Sequence, residues 1–238
     1  MIWEPAKILR RDRLKTVAVG AQLKGDFTAD EGFNQVSTWL SEYSQNWPSG
    51  FYFEYGGEME SSGESSQSIA DKLPIAIFII VILLVMQFNS LRKPFIILST
   101  IPLGFIGVVW GLVIAKSFFG FMTLLGIISL AGIVINNAIV LLERIKLEVE
   151  ENGLAPQAAI VEAAQRRMRP ILLTTATTVF GLLPLYIGGG EMWEPMAVGI
   201  MAGLMFSTLL TLGFIPVLYA LLYKVNYSGF EYGEKRSH

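Results

Sequence analysis

Between residues 118 and 143 the chain reads FFGFMTLLGIISLAGIVINNAIVLLE, with no charged side chain until Glu143. At about 1.5 Å per residue in a helix, such a run can cross a hydrocarbon core of about 30 Å. Two adjacent amides, Asn136 and Asn137, interrupt it. An amide facing lipid without a partner is costly, so at least one of the two is expected to point into a helix bundle. Two roles fit: hydrogen-bonding glue between helices, or a polar relay within a transporter. The spacing leaves both open.

The remainder of the chain shares this character. Of 238 residues, 53% are hydrophobic and 16% charged, and the mean hydropathy is +0.51, values of a polytopic membrane protein. A net charge of −2 gives no broadly basic surface for nucleic acid. Cysteine is absent, which excludes disulfides and thiolate metal sites, and the single histidine is His238. The opening MIWEPAKILRRDRLK carries no apolar core of a cleavable signal, so the chain is expected to be part of something longer.

One stretch, 10–72, reads as soluble. Val17, Val19 and Ala21 alternate within 15–23, a period of two that predicts a half-buried strand. Thr28 or Asp30 is placed to cap a helix whose apolar positions Phe33, Val36, Trp39, Leu40 and Tyr43 recur at helical spacing. Pro48-Ser49-Gly50 ends it, and the alternation of Phe51, Phe53 and Tyr55 predicts a second strand. A strand–helix–strand unit holds too little core to stand alone, so partner strands outside it are expected. A polar connector to residue 72 follows.

Five apolar segments come next, about 73–88, 94–115, 118–143, 170–187 and 195–223, with a tail at 224–238. In the second, Gly104, Gly107 and Gly111 share a face; in the fifth, Gly199, Gly203, Ser207 and Thr211 repeat every four residues. Both patterns predict close helix contacts of a bundle. Alternate loops differ in charge. One side carries Arg92, Lys93, Arg144, Lys146, Arg166, Arg167, Arg169, Lys224, Lys235 and Arg236, while the short loops opposite hold only Lys116. The basic side is therefore expected in the cytoplasm, with the C-terminus inside and the strand–helix–strand segment outside. The loop 144–169 reads as an amphipathic cytoplasmic helix opened by Ala155-Pro156, with Ile160, Ala163 and Ala164 at helical spacing.

Within the five segments, short of the Glu143 that closes the third, there is no Asp, Glu, Lys, Arg or His. An ion-coupled pump ordinarily needs such a group at depth, so the chain alone makes no convincing proton pump, although it can line part of one. Its polar inventory there is Ser129, Asn136, Asn137, the threonines Thr174, Thr175, Thr177 and Thr178, and Ser207, Thr208 and Thr211. Asn136 shares a face with Ser129, Gly132 and Val140; Asn137 shares one with Leu130, Val134 and Leu141; Thr174, Thr178 and Gly181 form a comparable polar face. Enzymatic signatures are missing: no Ser/His/Asp set, no HExxH, no Walker lysine, no GxGxxG. The run Gly188–Gly190 reads as a turn, and Met192, Met196, Met201 and Met205 as helix packing rather than a soft-metal path. No metal site and no cofactor is expected.

Four blocks carry a resemblance: QFNSLRKPFIILSTIPLGFIGVVWGL (87–112), LLGIISLAGIVINNAIVLLERI (124–145), RRMRPILLTTATTVFGLLPL (166–185) and GGEMWEPMAVGIMAGLMFSTLLTLGFIPVLY (189–219). In unbroken order they resemble the resistance–nodulation–division (RND) efflux permeases, acriflavine-resistance branch, and 48–61 resembles the end of that family's porter region. The resemblance implies a twelve-helix, trimeric inner-membrane permease that exports amphiphilic compounds in exchange for protons. This chain matches helices eight to twelve. The implied architecture is a five-helix membrane bundle at 73–223 preceded by a partial α/β porter segment at 1–72.

The family's proton-binding aspartate pair lies on its fourth helix, so the implied partner is the N-terminal half of the permease, with a periplasmic adaptor and an outer-membrane channel beyond it. The family's relay lysine, threonine and arginine fall at Asn136, Thr174 and Arg167, and Asn137 matches the family's own asparagine. The departure at Asn136 removes a positive charge; other RND members also read NNAIV here. Three other readings stand beside this one. They are a truncated or split structural subunit without transport of its own, a heavy-metal exporter of the related branch, and, weakest, an integral-membrane enzyme.

Overall fold

The computed structural model describes residues 9–20, 29–56 and 58–227, and the chain divides into two compact units, Met1–Ser61 and Ser62–His238. In the first unit, strands β1 (Leu9–Arg11) and β2 (Leu14–Thr16) pair antiparallel, Leu9 opposite Thr16 and Arg11 opposite Leu14. The two residues between them, Asp12 and Arg13, both have positive φ (48° and 68°), the mirror-image turn whose twist matches a hairpin. The strand expected over 15–23 is thus corrected: it stops at Thr16. Val17 and Val19 lie in irregular chain at 87% and 93% exposure, and among the described residues no strand pairs with them. Ala21, Leu23 and Thr28 lie outside the described residues.

The expected helix is α1 (Ala29–Tyr43), followed by a single 3-10 turn at Ser44–Asn46; Asp30 lies inside the helix rather than capping it. The second expected strand is also corrected. Residues 51–56 form no strand, and no neighbouring strand among the described residues offers N–H and C=O groups for one. Aromatic edges hold the segment instead: Trp47 meets Phe53 at 5.9 Å, Phe53 meets Tyr55 at 5.2 Å, and Tyr55 meets Phe33 of α1 at 4.7 Å. Arg11 adds a tie, 2.9 Å from Glu54 and 3.1 Å from Glu60, and its hydrogen bond holds the Glu60 carboxyl below the ordinary range.

In the second unit five helical stretches are long and apolar enough to cross a membrane: Ser62–Phe88, Arg92–Ala115, Phe121–Glu150, Pro156–Gly188 and Met192–Leu222. Helix α2 (Glu58–Phe88) runs much further towards the N-terminus than the apolar segment from 73. The span expected over 94–115 is broken into α3 (Arg92–Leu98) and α4 (Ile101–Ala115). Pro102 has no N–H to offer the turn before it, and the hydroxyls of Ser99 and Thr100 donate to Phe95 O (2.7 Å) and Ile97 O (2.6 Å), ending α3 from within.

The loop expected over 144–169 contracts to 151–155. Helix α5 (Phe121–Glu150) continues through the charged run, where Arg144–Glu148 and Lys146–Glu150 form pairs four residues apart. Helix α6 (Pro156–Gly188) opens on Pro156, whose missing N–H costs nothing at a first turn, and passes Pro170 unbroken. Helix α7 (Gly190–Leu222) follows a turn at which Gly190 takes φ +73°. Helices of 30 to 33 residues measure about 45–50 Å, so α5, α6 and α7 exceed a hydrocarbon core of about 30 Å and extend beyond it.

Two cores result. One joins α4, α5 and α7 through Val108, Leu112, Leu130, Val134, Val198 and Leu204. The other lies at the end carrying the basic residues and includes Leu84, Phe88, Ile96, Ile97, Leu142, Ile145, Ile160, Ala163, Ile215 and Tyr219. At its rim the Arg92 guanidinium stands 5.7 Å from the Tyr223 ring, itself stacked on Tyr219 at 4.4 Å. The glycine faces meet as their spacing predicts. A Cβ added at Gly107 would stand 2.6 Å from Phe206 Cβ, and one added at Gly111 would overlap Ala202 Cβ.

Candidate functional site

Helix α5 sets the two amides on different faces. Its buried stripe runs Leu130, Val134, Ala138, Leu141, Ile145, Glu148. Asn137 lies at the margin of that stripe and is half-buried; Asn136 points away from it and is exposed, together with Ser129 and Gly132. Nothing stands within 4 Å of a Cβ added at Gly132. The bundle-facing amide is therefore Asn137, whereas Asn136 opens onto a face that the described helices leave uncovered.

On α6, Thr174 is exposed and donates to Ile171 O at 2.9 Å, while Thr177 and Thr178 both donate to Thr174 O at 2.9 Å. These hydroxyls satisfy themselves on their own helix, as serines and threonines in apolar surroundings do. Gly181, one turn on, is exposed with open space beyond it. Arg167 is half-buried, and its Nε is enclosed without a hydrogen-bond partner. Among the described residues no hydrogen bond or ion pair joins any two of Asn136, Asn137, Thr174 and Arg167. What the fold presents is a pair of open polar faces, not a closed relay.

Two polar features escaped the sequence reading. The first is a buried hydroxyl pair: Thr175 Oγ1 and Thr208 Oγ1 lie 2.8 Å apart and link α6 to α7. The signal was available, since Thr175 follows the buried Ile171 by four residues. Removing one hydroxyl leaves the other buried and unpaired, at a cost of about 1–3 kcal/mol, whereas removing both is close to neutral. Thr175→Val alone is accordingly expected to lower the unfolding midpoint in detergent, and Thr175→Val with Thr208→Val to recover most of the loss. A double variant as unstable as the single would show that the pair contributes nothing as a pair.

The second is an ion cluster at the α5–α6 turn. Glu148, 1% exposed, takes Arg144 Nη2 at 2.5 Å, Arg166 Nε at 3.6 Å and the Asn152 amide at 2.6 Å; Arg166 also reaches Glu162 at 2.5 Å. In sequence Glu148 is one acid in a charged run and reads as solvated. Only its register, eleven residues after Asn137 and on the buried stripe, marks it as different.

Long apolar helices joined by glycine contacts, with polar side chains left open between apolar ones, are the architecture of a polytopic membrane protein. Residues 3–223 match the AcrB/AcrD/AcrF family, and the chain belongs to that family of RND efflux transporters. It is 36% identical over 182 residues to the multidrug resistance protein MdtC of Pantoea ananatis, a match covering 75% of this chain and 18% of MdtC. It is 30% identical over 185 residues to the nickel and cobalt resistance protein CnrA of Cupriavidus metallidurans, covering 76% of this chain and 17% of CnrA. The crystal structure of a heavy metal efflux pump superposes with a TM-score of 0.62 at 28% identity, over 79% of this chain and 20% of that one. The chain thus spans less than a fifth of the length of these two curated relatives.

Proposed function

We propose that the chain is the C-terminal membrane portion of a proton-driven inner-membrane exporter of amphiphilic compounds. The observation that carries this reading is a pair of polar faces, that of Asn136 on α5 and that of Thr174 on α6. Both are set in helices otherwise apolar at depth, left open by the described bundle and supplied with no acid of their own. A proton carrier has to come from helices laid against those faces, which is the role of the aspartate-bearing N-terminal portion. Asn136, Asn137, Thr174 and Arg167 then answer a change of charge on those acids by exchanging hydrogen bonds. The excess of arginine and lysine on one side puts that side and the C-terminus in the cytoplasm, with the first unit in the periplasm. A homotrimer with a periplasmic adaptor and an outer-membrane channel completes the assembly. Export of a divalent metal is the second reading, favoured by the likeness to CnrA.

Everted membrane vesicles bearing the whole transporter separate the two. An acidified lumen is expected to lose protons on addition of a cationic amphiphilic dye and to be unaffected by nickel or cobalt. Proton loss on addition of the metals alone would replace the first reading with the second. An antibody to residues 231–238 used on native membranes tests the split-subunit alternative: a band near 26.3 kDa would favour it, and a much heavier band the single long permease.

A further inference from the structure

The ion cluster at the α5–α6 turn is not used by the function proposed above, yet it joins the two helices that carry the polar faces. We infer that Glu148 is a positioning residue for those faces. Paired with Arg144 on its own helix and Arg166 on α6, it fixes the rotation of α6 about its axis, and with it the directions of Arg167 and Thr174. This role rests on the reading that those two residues take part in proton coupling.

Burial makes the tie consequential. A carboxylate 1% exposed is tolerable only while its cations remain in place, and removing one partner leaves an uncompensated charge. Among the described residues the charged groups that face Glu148 are Arg144, whose side chain is 20% exposed, and Arg166, both paired by charge with Oε1, which accepts no well-aligned hydrogen bond; the Asn152 amide donates to Oε2. Of these only Arg166 belongs to α6, 3.6 Å away, so it is the ionic tie between the two helices, beside the apolar core of Leu142, Ile145, Ile160 and Ala163. Arg167 is the next residue, and Thr174 lies seven residues beyond it, within about 20° of the same direction on a straight helix. One rotational setting therefore fixes both. The five-residue connection 151–155 limits how far α6 can slide but not how it turns.

This chain contains no cysteine, and any in the rest of the transporter are first replaced by serine. Glu151, just after α5, and Met168 on α6 are exposed and lie off the faces of Asn136 and Thr174. Spin labels at Glu151→Cys and Met168→Cys, read by double electron–electron resonance in the whole transporter in liposomes, report the setting of α6 directly. Glu148→Gln and Arg166→Gln are each expected to shift or broaden the distance distribution, and the two together to do no more than either alone. Lys146→Gln removes a pair within α5, 3.7 Å from Glu150, and is expected to leave the distribution as it was.

Efflux is expected to fall roughly tenfold or more in Glu148→Gln, as when reacting groups are displaced by about 1 Å. Glu148→Asp, which keeps the charge, is expected to restore most of it. An unchanged distribution in both Glu148→Gln and Arg166→Gln overturns the assignment, as does full efflux by Glu148→Gln. Failure of the underlying reading shows elsewhere, in an Asn136, Asn137 and Thr174 alanine variant that still transports.

Discussion

Replacing Gly111 and Gly203 together with valine is expected to cost the bundle a large part of its margin of stability. The two helices α4 and α7 approach so closely that side chains beyond glycine have no room. An added Cβ at Gly111 would overlap Ala202 Cβ. At Gly203 it would overlap Leu130 Cδ2, stand 2.8 Å from Val108 Cγ2 and lie 3.2 Å from the Gly104 carbonyl. Val108 and Leu130 are themselves core residues, 0% and 2% exposed. Overpacking of this kind costs about 1–3 kcal/mol per site, sometimes more, against a total of about 5–15 kcal/mol for a typical protein.

The Gly111→Val and Gly203→Val double variant is thus expected to lose its monodisperse form in detergent at a temperature well below the parent's. Gly213→Ala serves as a control, since Gly213 is exposed on the same helix with nothing within 4 Å of an added Cβ. Equal thermal midpoints for the double variant and the control would mean that α4 and α7 do not meet through these glycines.

This contact was legible in the sequence because it depends on a pattern: small residues every three or four positions, which a helix turns into a face. The existence of five apolar helices was legible for the same reason, and so was a helix opened by Pro156, but not that this helix runs on through Pro170 as α6. What the sequence hid depends on pairing across distance. Whether Val17 and Val19 join a strand depends on what lies beside them in space, which alternation within 15–23 cannot show. The break before Ile101 is set by hydroxyls closing back on α3, and the same residues read as a continuous apolar span. Glu148 looks like its neighbours Glu150 and Glu151 until α6 brings Arg166 against it. At the candidate site the residue types were readable, and so was the division between the faces of Asn136 and Asn137. That Thr174 satisfies its hydroxyl on Ile171, and that no bond joins the four residues, depends on side-chain rotamers and helix placement, which no periodicity encodes.

That open arrangement makes a sharp demand of the proposed mechanism. If Asn136, Asn137 and Thr174 interact with titrating acids on neighbouring helices, their present bonds leave them free to do so. The two side-chain amides make no hydrogen bond among the described residues, and Thr174 needs only to exchange its own backbone partner. Hydrogen bonds to charged groups contribute about 1.5–3 kcal/mol each, and about 1.4 kcal/mol is a factor of ten. Three lost together therefore correspond to a fall of more than about a thousandfold, which an efflux assay reads as none.

The Asn136→Ala, Asn137→Ala, Thr174→Ala variant of the whole transporter is expected to reach the membrane at parental abundance and to give cells no more tolerance of an amphiphilic dye than cells lacking the transporter. Abundance is expected to hold because Asn136 and Thr174 are exposed in this bundle and Asn137 is only half-buried, so no tight contact is emptied. Thr177→Ala, which removes another exposed hydroxyl bonded to the same helix, is expected to transport normally. Parental efflux by the triple variant at equal abundance would reduce these residues to packing, and proton coupling would then have to run wholly through helices outside this chain.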